Sequence, residues 1–145
     1  MSWFKLQLQV SGPIPPPVAR VVELARDDND VIGVALYGSY VKGNYSAISD
    51  IDICIFLKRT FRDADTIHRK RMKYLEAAAS DRADVHVFQE LPLYVRPTIL
   101  KEGRMVLVKD EDALYDLAFE TIKDFDDFRK HYEEYLAGIA NAESR

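Results

Sequence analysis

The chain has 145 residues, 48% of them hydrophobic and 30% charged, with a formal net charge of −4. A domain of that length buries about 68–70% of the surface its unfolded chain exposes, so residues 1–145 are expected to form one domain around a real core. The acidic balance argues against direct nucleic-acid binding, which calls for a basic excess. A single cysteine, Cys54, excludes an internal disulfide and a cysteine zinc cluster. Apolar runs no longer than a strand predict neither a signal peptide nor a membrane span, and make the cytoplasm the expected compartment.

In chain order, Phe4, Leu6, Leu8 and Val10 alternate with polar residues, which predicts a strand-like arm over residues 1–12. The proline-rich run from Ser11 to Pro17 ends it, and Val18 to Arg26 carries a short helical face at Val18, Val21, Val22 and Ala25. Val31 to Tyr37 reads as a buried strand that breaks at Gly38-Ser39, and Ile51 to Leu57 as a second one. Asp63 to Ala79 has helical spacing at Ala64, Ile67, Tyr74, Leu75 and Ala78. Its basic run of His68, Arg69, Lys70, Arg71 and Lys73 is expected to be a solvated face. Ala83 to Phe88 predicts a third strand, Pro92 to Lys101 a helix, and Met105 to Val108 a short strand. The C-terminal helical segment over 110–140 is amphipathic from Leu114 to Ile139, and its later aromatic part is expected to cover more core.

Two acids opening an apolar strand need a physical reason. Side chains two apart on a strand share a face at a separation of roughly 6.5–7 Å, so Asp50 and Asp52 point the same way while Ile51, Ile53 and Ile55 pack the other face. Carboxylates that close repel unless a cation lies between them, and Mg²⁺ takes one or two carboxylates with phosphates and waters completing its shell. Gly38 lets an anion approach the backbone, and a short helix starting near Ser39 would aim free N–H groups at it. Asp84, on the third strand, could complete a three-carboxylate cluster; Asp81, just before that strand, is the competitor and reads as a turn residue. His86 and Cys54 lie deeper on the same face and read as structural residues. A tight turn and a solvated acid pair would explain either half of this pattern taken alone.

Gly38-Ser39, ten intervening residues, then Asp50-x-Asp52: this pattern resembles the signature of the polymerase-β-type nucleotidyltransferases. Lys42-Gly43 and Ser49 fall where small members often carry a basic residue, a glycine and a serine. Those members are the minimal nucleotidyltransferases, the MNT or MntA proteins encoded in prokaryotes beside HEPN proteins. Pro97 to Gly103, Tyr115 to Phe128 and the single-domain length look similar too, so the resemblance spans roughly residues 17–136.

The resemblance implies an α/β (α+β) palm: a small mixed β-sheet flanked by helices, with helices on one sheet face and the active site on the other, and a long C-terminal helix. It implies transfer of AMP from ATP with two Mg²⁺ ions. Asp50 and Asp52 would bridge both ions and Asp84 would hold the one that activates the incoming hydroxyl. Gly38 and Ser39 would bind the β- and γ-phosphates, with further contacts from Lys42 and Ser49. The implied partner is a HEPN-type ribonuclease toxin modified on a tyrosine, which would make this chain the antitoxin of a type VII-like toxin–antitoxin pair. A non-catalytic antitoxin that occludes the toxin, or a free-standing transferase acting on a small molecule, are the rival readings.

Overall fold

The computed structural model describes residues 12–41, 50–60 and 63–143. The N-terminal arm up to residue 11, and with it Lys42 and Ser49, lies outside the described residues. The elements are α1 (Pro16–Arg26), β1 (Val31–Tyr37), β2 (Ile51–Leu57), α2 (Ala64–Ala78), β3 (Ala83–Val87), α3 (Arg96–Glu102), β4 (Arg104–Val108) and α4 (Glu111–Glu143). Single 3₁₀ turns follow β1 at Gly38–Tyr40 and β3 at Phe88–Glu90.

Both proline-rich segments enter helices differently from the sequence expectation. α1 starts at Pro16 rather than Val18, because a proline's fixed φ and missing N–H cost nothing in the first turn of a helix. α3 likewise starts at Arg96, with Pro97 in its first turn, rather than at Pro92. α2 begins after Asp63, whose side chain accepts from the Asp65 N–H, and ends where Ala79 turns left-handed at φ 49°.

The four strands form one mixed sheet in the order β3-β2-β1-β4. β1 pairs antiparallel with β2 and with β4, and β2 pairs parallel with β3. A parallel neighbour needs a crossover, and α2 provides it. Alternation then sorts each strand onto two faces. Ile51, Ile53, Ile55 and Leu57 of β2 pack with Val85 and Val87 against α1 and α2. Cys54 and Phe56 point the other way, joining Phe88, Ile99, Leu100, Leu114, Leu117 and Ala118 beneath α3 and the first turns of α4. Helices therefore flank both faces rather than one, because Cys54 and Phe56 make the second face apolar as well, and there they close over the end where Phe56 and Phe88 stack, ring centroids 4.8 Å apart. Each such fully buried side chain contributes about 1.5–3 kcal/mol.

The basic run on α2 is only partly solvated. His68 and Arg69 are exposed, but Lys70 turns inward to Asp28 at 2.9 Å and to Asp30 at 2.8 Å. Tyr74, wholly buried, donates its hydroxyl to the same Asp28 carboxylate at 2.7 Å. Charged residues on one helix face look alike in sequence; what separates them is a buried acid 42 positions away.

The later part of α4 also departs from expectation. Leu114, Leu117, Ala118 and Ile122 are buried, but Phe128, Tyr132, Tyr135, Leu136 and Ile139 are exposed. The sheet is too short to underlie a helix of 33 residues, which spans about 50 Å at 1.5 Å per residue. Among the described residues no helix is long and apolar enough to cross a membrane.

Burial alone would raise the Asp28 carboxyl, but hydrogen bonds from Lys70, Tyr74 and the Asp30 N–H, with the Lys70 charge, hold it at about 2. Its folded value thus lies below its unfolded value of about 3.9, so the stabilisation is complete above that pH and is lost as pH falls through about 2. Urea denaturation between pH 5 and pH 2 should lose about 2 kcal/mol from this group, and Asp28→Asn should flatten that part of the profile. An unchanged slope in Asp28→Asn would show that the Lys70–Asp28–Tyr74 cluster is not what acid breaks.

Candidate functional site

The site forms where β1 ends and β2 and β3 begin. Tyr37 leaves β1 fully extended, and Gly38 then takes φ +78°, a backbone region that L side chains rarely adopt. A β-carbon on Gly38 would overlap an oxygen of the Asp52 carboxylate. The conformation thus calls for glycine, and any side chain there would also have to displace the Asp52 carboxylate. The Gly38–Tyr40 turn closes with the Val41 N–H donating to the Gly38 carbonyl at 3.2 Å.

β2 places Asp52 opposite Tyr37 on one side and opposite Asp84 on the other. The Ile51 N–H donates to the Arg82 carbonyl at 2.6 Å, locking the register at the strand starts. Neighbouring strands lie about 4.8 Å apart, so Asp52 and Asp84 stand side by side on one sheet face. Asp50 precedes β2 and is exposed, while Asp52 is half-buried. Burial, then the charge of Asp84, raise the Asp52 carboxyl above its usual range; His86 opposes the shift and Asp50 adds to it. Tyr37, pressed against these acids, is pushed up by burial and by their charge.

Asp84 is not a bare ligand. His86 Nε2–H donates to its Oδ2 at 2.8 Å, and the Arg71 guanidinium lies 3.7 Å from its Oδ1. Arg71 also donates from Nε to the Val85 carbonyl at 2.8 Å and approaches Glu90 Oε1 at 3.4 Å. Glu90 in turn accepts from the Val87 N–H at 3.1 Å. Arg71 and Glu90 were not singled out by the sequence. Arg71 was hidden in a basic run, and Glu90 comes near the acids only because a 3₁₀ turn bends the chain back after β3. Cys54, one layer deeper, is fully buried and its thiol is pushed well up by burial, as a packing residue should be.

Among the described residues no three His, Cys, Asp or Glu side chains are gathered into a ready metal cage. Mg²⁺ rarely requires one, since it is bound through one or two carboxylates plus substrate phosphates. Two carboxylates in register, one of them raised by burial and by the other's charge, make a donor set that fits such a cation. Beside Gly38 a small hollow opens between Tyr37 and α3, lined by Val95, Thr98, Ile99 and Glu102. A separate polar recess holds Arg59, Arg96, Glu120 and Asp124 but none of the candidate acids. Its arginines are engaged already, Arg59 with Glu120 at 2.7 Å and Arg96 with the Leu91 and Gln89 carbonyls.

Comparison with known proteins gives independent findings. Residues 20–112 match the family described as Polymerase beta, Nucleotidyltransferase. MJ1547 of Methanocaldococcus jannaschii, named as a candidate protein adenylyltransferase, is 34% identical over 106 residues, covering 72% of this chain and 77% of that protein. Among solved structures, a chain from a toxin–antitoxin crystal structure with AMP-PNP superposes with a TM-score of 0.63 at 19% identity, covering 84% of this chain and 97% of that one. A chain from the tri-AMPylated Shewanella oneidensis HEPN toxin in complex with MNT antitoxin gives a TM-score of 0.58 at 16% identity, covering 84% and 94%. At those identities the likeness is one of fold.

The two demands on Gly38 can be separated. Gly38→Ala should cost about 1–2 kcal/mol from the left-handed conformation alone, plus a steric part set by Asp52. In an Asp52→Ala background the steric part should vanish and the conformational part remain. Chemical denaturation of the single and double variants measures the difference. Additivity within about 0.5 kcal/mol would mean that the two residues do not touch.

Proposed function

Because the chain belongs to the polymerase β nucleotidyltransferase family, we propose that it is a Mg²⁺-dependent adenylyltransferase which moves AMP from ATP to a tyrosine hydroxyl of a HEPN-type toxin, and so acts as an antitoxin. The observation that carries the reading is the register of Asp52 with Asp84 on a sheet face closed by the Gly38 turn. The relationship to MJ1547 supports protein as the acceptor class. The named toxin–antitoxin complexes of like fold support a HEPN partner.

Asp50, Asp52 and Asp84 would hold the Mg²⁺. Bound Mg²⁺ supplies charge neutralisation at the triphosphate and at the attacking and leaving oxygens of an in-line displacement. Gly38 and Ser39 would bind the β- and γ-phosphates through backbone N–H groups and the Ser39 hydroxyl, with Lys42 and Ser49 as further phosphate contacts. The acceptor oxygen forms the new bond to the α-phosphorus as the bond to pyrophosphate breaks, and Asp84 takes the acceptor's proton. His86 and Arg71 orient Asp84 for that task, because each touches one of its two oxygens. Fixing a reacting group before the step removes reorganisation from the barrier.

The competing reading is an antitoxin that acts by occlusion alone, favoured by the engagement of Asp84 with Arg71 and His86. One experiment decides between them. The full chain, ATP, Mg²⁺ and a HEPN-type protein taken as its partner are mixed, and the partner's intact mass is measured. Addition in units of AMP is expected from the wild type and none from Asp50→Asn/Asp52→Asn, which keeps side-chain volume and therefore docking. If the double variant protects cells from the toxin as well as the wild type, and the wild type adds no mass, the chain is not a transferase for that partner. Calorimetry adds a check that does not depend on turnover: ATP should bind more tightly with Mg²⁺ than without, and equal affinity would remove the metal from the account.

A further inference from the structure

Arg71 stands between two carboxylates. Its Nη2 lies 3.7 Å from Asp84 Oδ1, and its Nε lies 3.4 Å from Glu90 Oε1. The Nε–H donates to the Val85 carbonyl at 2.8 Å, which fixes the side chain against β3. Glu90 is fixed as well, since its Oε1 accepts from the Val87 N–H at 3.1 Å. One guanidinium is thus shared by an acid of the site and an acid to which the mechanism gives no task.

Both oxygens of Asp84 are addressed in this arrangement. His86 Nε2–H donates to Oδ2 at 2.8 Å, and the guanidinium faces Oδ1. A divalent ion taking Asp84 together with Asp52 would draw on an oxygen that already has a cationic neighbour. A separation of 3.7 Å is longer than a hydrogen bond, so the contact with Asp84 acts through charge and yields more easily than the bond to Val85. The side chains of Arg71, Asp84 and Glu90 are 26%, 42% and 26% exposed. Solvent therefore screens the pair, and its weight in an equilibrium constant is at most about fivefold.

We propose that Arg71 is a counter-ion shared between Asp84 and Glu90, which competes with a divalent ion for Asp84, so that the acids take the metal poorly by itself and better together with the triphosphate. This rests on the adenylyltransferase reading given above and adds how entry of the metal is regulated. An ion arriving alone brings only water to set against the guanidinium, whereas one carried by ATP brings phosphate oxygens that complete its shell. Arg71 is a positioning residue, because it acts through Asp84 and touches no reacting atom. Glu90 holds Arg71 beside the site as a metal draws on Asp84. A purely structural Arg71, tying α2 to the edge strand β3 through the Val85 carbonyl, predicts a loss of stability and no change in metal affinity.

The test is Mn²⁺ binding to the full chain without nucleotide, followed by calorimetry and by loss of the free-ion electron paramagnetic resonance signal. Arg71→Gln should tighten Mn²⁺ by about fivefold. Glu90→Gln keeps an oxygen for the Val87 N–H but leaves Arg71 to Asp84 alone, and should loosen Mn²⁺ by about twofold. In Arg71→Gln/Glu90→Gln the second change should add nothing, because Glu90 acts through Arg71. Unchanged affinity in Arg71→Gln, with or without a fall in thermal midpoint, overturns the shared counter-ion and leaves the transferase reading standing. So does a Glu90→Gln effect that persists in full in the double variant. Should Arg71→Gln not fold, Glu90→Gln still decides, and affinity equal to the wild type or tighter overturns the proposal. A wild type that binds Mn²⁺ neither alone nor with ATP overturns the metal reading and this inference together.

Discussion

Strand β2 is hydrogen-bonded on both sides, antiparallel to β1 and parallel to β3. This double pairing leaves its residues no freedom to slip. A shift of one position would turn Ile51, Ile53 and Ile55 to the other sheet face and Asp52 into the core beneath α1 and α2, at the cost of mismatched packing on both faces and a desolvated charge. The apolar half of the strand therefore holds the acidic half in place. Burial and the charge of Asp84 both disfavour an ionised Asp52, and the isoleucines packed on the opposite face hold it in place.

Helix α2 carries the second half of the arrangement. Adjacent residues on it, Lys70 and Arg71, reach in different directions: one to Asp28 at the end of α1, the other to Asp84 on β3. Arg20 adds a further tie by donating twice to the Ala78 carbonyl at the end of α2. These contacts join α1, α2 and β3 into one unit around the crossover. The position of Arg71 beside the acids is then a consequence of how α2 is seated, and the buried Asp28 network supports the site from a distance.

The long helix divides its labour by position. Its first three turns complete the core against α3 and the Phe56–Phe88 stack, and its remaining turns present the same face to solvent. Nothing local changes along it, since the apolar period continues without a break. Only the edge of the sheet decides where core ends and surface begins.

Much of this was legible in the sequence because short-range physics dictates it. β1 and β2 begin and end where their apolar runs do, and the Gly38 break follows from a conformation open to glycine, whereas Asp50, expected on the strand face of Asp52, lies before β2. Asp84 could be named from the sequence, but its neighbour was decided by the parallel register of β2 and β3, which is a tertiary fact. The same holds for Arg71 and Glu90, which gather around Asp84 through contacts between α2 and β3 that no spacing rule announces. It holds as well for Lys70, taken for a solvated charge until the buried Asp28 is seen beside it. Sequence pattern determines which side of an element is apolar or charged, because that depends on residues a few positions apart. Which of those sides meets another element, and which is left to solvent, depends on where the chain returns in space.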